Sequence, residues 1–154
     1  MAATFEPPLV QIAAMHAVNH HDYLRLSYRP DLQLLFMRWV RPVSSEEHRS
    51  GYAAALELAQ PHQSNHWLID LRSRGLASVE DLMWVLTTFR GLLQQSGLPA
   101  PRRLAYLVTP YQAETMDERL LTLEPTIAEH IRRGADVHHF TEELPAQDWL
   151  RRSS

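Results

Sequence analysis

Short apolar runs of strand type alternate along this chain with stretches whose apolar residues recur at helical spacing. That alternation limits the possible folds more than any single residue does. Tyr23 to Tyr28 alternates apolar and polar residues, so Leu24, Leu26 and Tyr28 fall on one face of a half-buried strand. Arg29-Pro30-Asp31 is turn chemistry, and Leu32 to Val40 is more continuously apolar, as suits a more central strand. The short connection between them predicts an antiparallel hairpin.

Helical signals begin at Ser44, where Glu47 completes a capping box. Tyr52, Ala55, Leu56 and Ala59 follow at helical spacing, and Pro61 ends the pattern. His66-Trp67-Leu68-Ile69-Asp70 reads as a short buried strand. Ser78 opens the next helix, with Asp81 at its third position and a core stripe of Leu82, Val85, Leu86, Phe89, Leu92 and Leu93. Gly97 and Pro99 terminate it. Leu104-Ala105-Tyr106-Leu107-Val108 is a further strand, broken by Thr109-Pro110. Residues 111–124 read two ways: Met116, Leu120, Leu121 and Leu123 suggest a helix, whereas the acidic, polar start suggests a mobile loop. Pro125 suits the first turn of a helix running to Arg133, with Gly134 as its cap. Val137 to Phe140 is the last strand, and Thr141 begins a closing helix through Leu144, Ala146, Trp149 and Leu150.

This order predicts an α/β fold with a mixed sheet, mostly parallel, opened by an N-terminal antiparallel hairpin and covered by helices. Right-handed crossovers place those helices on the sheet faces. Residues 1–22 read as an N-terminal arm. Pro7-Pro8 resists regular structure, Leu9-Val10-Gln11-Ile12 fits a short strand, and Asn19 to Asp22 is a polar break. Residues 23–152 form the single expected domain.

Composition narrows the function classes. The chain has 154 residues, 45% of them hydrophobic, enough for a substantial core. Its net charge is −3, so no strong field steers nucleic acid or an anionic membrane towards it. There is no cysteine, which excludes disulfides, thiolate metal ligands and cysteine nucleophiles. Met1 to Pro8 lacks the features of a signal peptide, and no apolar run approaches the roughly 20 residues of a membrane span. The expected location is cytoplasmic, with neither a nucleic-acid partner nor a membrane span.

No Gly-x-Ser-x-Gly elbow, Walker loop or dinucleotide fingerprint is present, so neither an enzyme nor a cofactor is expected. The chain has nine histidines. His62 and His66 are spaced i,i+4, which helps a metal only if both lie on one helix, and Pro61 argues against that. His20-His21 and His138-His139 are adjacent pairs. No metal site is expected.

Three pieces carry a family resemblance: Leu68-Ile69-Asp70-Leu71-Arg72, the helix holding Glu80-Asp81 and Trp84, and Phe140-Thr141-Glu142-Glu143 followed by Ala146 and Trp149-Leu150. In that order they resemble the SpoIIAA-like, or STAS-like (STAS/SEC14-type), bacterial domains, over roughly residues 23–150. The resemblance implies a non-enzymatic regulatory module, dimeric and acting through protein contacts. In anti-sigma factor antagonists of this fold, a serine that follows a strand-end aspartate and opens the next helix is phosphorylated. Asp70 matches that aspartate. The Asp-Ser or Ser-Ser pair followed by Gly is absent; Ser78 stands at the helix start instead, followed by Val79 and Glu80.

Asp70, Arg72 and Ser78 are therefore the candidate binding residues, expected together at the C-terminal edge of a central strand, where open α/β sheets hold ligands. The plainer reading, which we favour, makes Ser78 a helix cap and pairs Asp70 with Arg72 or Arg74. Trp84 lies off the core stripe, on a face with Thr88, Gly91 and Gln95. It is either an interface anchor or covered by residues 111–124. An alternative function is binding of a small apolar or lipid-like ligand between the sheet and residues 111–124. A second alternative is an enzyme with an unrecognised acid/base site.

Overall fold

Period-two burial organises the sheet. The computed structural model describes residues 16–121 and 134–152. Its strands are β1 (His16–His20), β2 (Leu24–Arg29), β3 (Leu34–Trp39), β4 (His66–Asp70), β5 (Arg103–Leu107) and β6 (Asp136–Phe140). They lie in the order β1-β2-β3-β4-β5-β6, antiparallel across the first three and parallel thereafter. The expected hairpin of β2 and β3 is present. It belongs to a three-stranded meander, because His16–His20 pairs with Leu24–Tyr28 from His16 opposite Tyr28 to His20 opposite Leu24. The sheet thus begins before the expected boundary at Tyr23, and Asn19 and His20 sit in a strand rather than a break. Their side chains gave no sign of it, since β1 is an edge strand held by its backbone ladder and exposed almost throughout.

Among the described residues four helices pack on this sheet. Helix α1 (Ser45–His62) starts at the expected capping box, with Ser44 accepting from the Glu47 amide at 3.1 Å and Glu47 from the Ser44 amide at 3.0 Å. Pro61 does not end it but sits in its last turn. The chain leaves through Gln63 in the left-handed region. Helix α2 covers residues 79–94 and is α-helical over Val79–Trp84 and Arg90–Gln94, with a π-helical turn, Val85–Phe89, between them. Helix α3 (Pro110–Leu121) decides the two readings of the start of 111–124 in favour of helix. Helix α4 (Glu143–Arg151) closes the domain. The expected helix from Pro125 to Arg133 lies outside the described residues.

The sequential strand order fixes which face each helix covers. Right-handed crossovers taken repeatedly in one direction across a sheet all land on the same side. Accordingly Tyr52, Ala55 and Ala59 of α1, Val85, Phe89 and Leu93 of α2, and Met116 of α3 pack with Leu35, Met37, Trp67, Ile69 and Tyr106 on the first face. Helix α4 follows the last strand and folds back onto the other face, where Ala146 and Leu150 meet Leu34, Phe36, Leu68, Ala105 and Leu107. No described helix is long and apolar enough to cross a membrane.

Candidate functional site

The alternation that builds the core also divides the residues expected to gather. Asp70 is opposite Arg38 in the parallel register of β3 and β4. It follows Ile69, which faces α1 and α2, so its carboxylate turns to the second face. There Arg38 donates to it at 3.1 Å and to Glu143 of α4 at 2.9 Å. Arg72 curls back onto the same carboxylate through Nε and Nη2, each at 3.0 Å, and its backbone amide donates at 3.1 Å. Burial alone would raise the Asp70 carboxyl, but the hydrogen bonds from Arg72 and the charge of Arg38 hold it below the ordinary carboxylate value. Two guanidinium groups and two carboxylates thus neutralise one another. The favoured pairing with Arg72 is present; Arg74 is not part of it.

Ser78 is on the other face. Its hydroxyl accepts from the Asp81 amide at 3.1 Å, the ordinary work of an N-cap. Asp81 is buried and takes a hydrogen bond from Ser45 at the start of α1, at 3.0 Å, tying α2 to α1. Asp70 and Arg72 are therefore together, whereas Ser78 belongs to a separate group of residues.

Trp84 is half-buried against the first-face core. Its ring lies 5.9 Å from His48, 6.1 Å from Tyr52 and 6.4 Å from Phe89, with the Arg49 guanidinium 5.7 Å above it. The π-turn that follows inserts an extra residue into the helical register. Phe89 and Leu93 remain in the core across it, whereas Leu92, expected in the core stripe, is exposed. Trp84 packs on His48 and Tyr52 of α1.

Between α1, α2, α3 and β5 lies a partly open cavity of about 90 Å³. Its walls are mostly apolar, from Leu71, Leu82, Val85, Leu86 and Met116. It falls where the alternative reading placed a ligand, between the sheet and the segment from residue 111. Of the side chains expected there Met116 takes part; Leu123 and the side chains of Leu120 and Leu121 lie outside the described residues.

Three arginines border this apolar space: Arg74, Arg90 and Arg119. Arg119 donates to the Ala77 carbonyl, and Arg90 also has partners of its own. Arg74 is only 7% exposed. Its Nε donates to the Gly75 carbonyl at 3.2 Å and its Nη1 meets His48 Nδ1 at 3.0 Å, while the guanidinium carbon lies 5.0 Å from the Trp39 ring centre. None of these partners is anionic. A guanidinium can only donate, so His48 Nδ1 accepts and the imidazole proton is on Nε2. Burial, then the Arg74 charge, push the His48 pKa down to about 4, with Asp81 opposing. His48 cannot take a proton without losing Arg74, so it is not disposed to act as a general base.

Three other histidines pair across elements. His16 Nδ1 lies 3.0 Å from His62 Nε2, and His20 bonds Ser50 at 2.8 Å. Among the described residues no three His, Asp or Glu side chains converge as a metal site requires. Comparison with family models, with curated proteins and with solved structures yields no match for this chain.

Proposed function

We propose that this chain is a non-enzymatic regulatory module of STAS-like type whose input is a small ligand held in the cavity between α1, α2, α3 and β5. One observation carries the reading: a largely apolar cavity with a buried arginine, Arg74, on its wall and no carboxylate on that arginine among the described residues. Ligand sites are typically concave and apolar with a few polar groups that orient the guest. The cavity also touches three helices, so its occupancy bears on how they pack together. The π-turn supports the reading further, because such turns recur at functional sites and this one supplies Val85 and Leu86 to the wall. The STAS-like part of the proposal draws on the order of the elements and on the three sequence pieces around Asp70, Trp84 and Trp149.

Native mass spectrometry of the freshly purified chain tests the proposal. The expected result is a bound small molecule that is lost when Leu86→Trp fills the cavity. Absence of any such adduct in repeated preparations, together with no change in melting temperature across a panel of small organic probes, overturns it.

A second reading, self-association through β1, has its own observation. The outer edge of β1 has no strand partner among the described residues, and Val18 on it is 42% exposed. Open edges pair readily with a second copy. Light scattering on a size-exclusion column tests this, and a monomer at high concentration counts against it.

A further inference from the structure

The chemistry of the Arg74 wall narrows the class of ligand. A buried guanidinium ordinarily has a carboxylate beside it, because an uncompensated charge out of water costs several kcal/mol. Arg74 has none: its two hydrogen-bond partners are a neutral imidazole and a carbonyl, and its Nη2 donates to nothing among the described residues. The Trp39 ring contact and the hydrogen bonds to His48 and Gly75 fix its position, so the group is oriented before any guest arrives. A planar fork with an unused edge matches a carboxylate in geometry as well as in charge.

Cavity size and lining set the rest of the molecule. An apolar cavity of about 150 Å³ accommodates benzene, so by proportion the 90 Å³ here takes roughly four heavy atoms. Leu71, Leu82, Val85, Leu86 and Met116 supply no hydrogen-bonding side chains. Those apolar walls suit an alkyl group, which phosphate lacks.

We propose that the cavity takes a short-chain aliphatic monocarboxylate of about two or three carbons, its carboxylate on the open edge of Arg74 and its alkyl end against Leu82, Val85, Leu86 and Met116. This rests on the ligand-binding reading above and specifies its guest. Arg90 and Arg119 have partners already and are not needed for it.

The test compares propionate, its neutral isostere propionamide, and inorganic phosphate on the full chain. Binding is followed by the Arg74 Nε–H resonance in nitrogen-correlated NMR and by melting temperature. Propionate is expected to move the Arg74 resonance saturably and to bind at least tenfold more tightly than propionamide or phosphate. Arg74→Lys keeps a positive charge but loses the fork, and is expected to lose most of that preference while remaining folded. Should Arg74→Lys fail to fold, the wild-type resonance still decides the matter. Equal binding of propionate and propionamide overturns the carboxylate assignment and leaves the ligand-binding reading standing. Preference for phosphate overturns the monocarboxylate class. If none of the three binds while a neutral apolar probe such as cyclopropane does, the acid assignment alone falls; if that probe also fails, both fall.

Discussion

Arg74 and His48 share one hydrogen bond, Nη1 to Nδ1 at 3.0 Å, and that bond exists only while the imidazole is neutral. The Arg74 guanidinium thereby keeps the imidazole of His48, from another element, uncharged. The acid response of the fold follows from this.

The His48 pKa is about 4 in the folded protein, against an ordinary value of 6.5. A depressed histidine takes up its proton more readily in the unfolded chain. Its contribution is therefore complete above about pH 6.5 and is lost as pH falls towards 4, by up to about 3 kcal/mol. His20, His62 and His66 are also lowered and act in the same direction. His48→Asn isolates the main group, because its amide oxygen can still accept from Arg74 but does not titrate. Urea unfolding between pH 7 and 4 should show a shallower loss of stability in this variant than in the wild type. Parallel losses would show that His48 is not the group responsible.

Gly51 of α1 lies against Trp39 of β3 so closely that a Cβ there would sit 2.4 Å from Trp39 Cη2. Alanine is the better helix former by about 1 kcal/mol, so an unobstructed Gly51→Ala would stabilise. Trp39 is buried and stacked beside Arg74, with no room to retreat, and overpacking of this kind costs about 1–3 kcal/mol. Gly51→Ala should therefore be net destabilising by about 1 kcal/mol, with part of the loss recovered when Trp39→Phe is added to it. Thermal unfolding of the single and double variants measures the coupling, and stabilisation by Gly51→Ala alone would refute the contact.

Much of this architecture could be read from residue order, and the exceptions have physical causes. Leu24, Leu26 and Tyr28 declare their face because a strand repeats every two residues and one side meets the core. Ser44 with Glu47, and Ser78 with Asp81, announce helix starts because capping is local chemistry. β1 was hidden because an edge strand needs only backbone pairing, and HAVNH buries almost nothing. The π-turn was hidden because helical spacing assumes a constant register. Arg74 stood in the sequence only as an alternative partner for Asp70, and it takes the approach of Trp39 and His48 from other elements to bury it. The Asp70–Arg72 pair was legible from proximity in sequence, whereas Arg38 and Glu143 required the sheet register and the placement of α4.

That register makes Asp70 the pivot of its group, which sets up an unequal pair of substitutions. Asp70→Asn removes the charge facing both Arg38 and Arg72 in a mostly buried setting, and should cost about 1–3 kcal/mol. Arg72→Ala removes a side chain that is 44% exposed and leaves Asp70 paired with Arg38; it should cost no more than about 1 kcal/mol. The Asp70 carboxyl is held below its ordinary value, so its contribution is present at neutral pH and fades as acid protonates it. Denaturant titration at neutral pH ranks the two variants, and a larger loss from Arg72→Ala would mean that Arg38 does not reach Asp70 in solution.

Trp84 offers the sharpest contrast between the two accounts of the α2 surface. An interface anchor can be truncated with little loss of stability in the free protein, because its contacts are made with a partner. A tryptophan inserted between His48, Tyr52, Phe89 and Arg49 cannot. Full burial of such a ring makes truncation cost about 3–5 kcal/mol, and half-burial scales that to about 2. Trp84→Ala should lower stability by that amount in the isolated chain. Trp84→Phe keeps ring contact with its aromatic neighbours and should retain most of it. Trp84 packs on His48 and Tyr52, which line the cavity, so Trp84→Ala should weaken propionate binding where the exposed Thr88→Ala does not. Unfolding free energies within about 0.5 kcal/mol of wild type for Trp84→Ala would return the residue to the surface as a contact site.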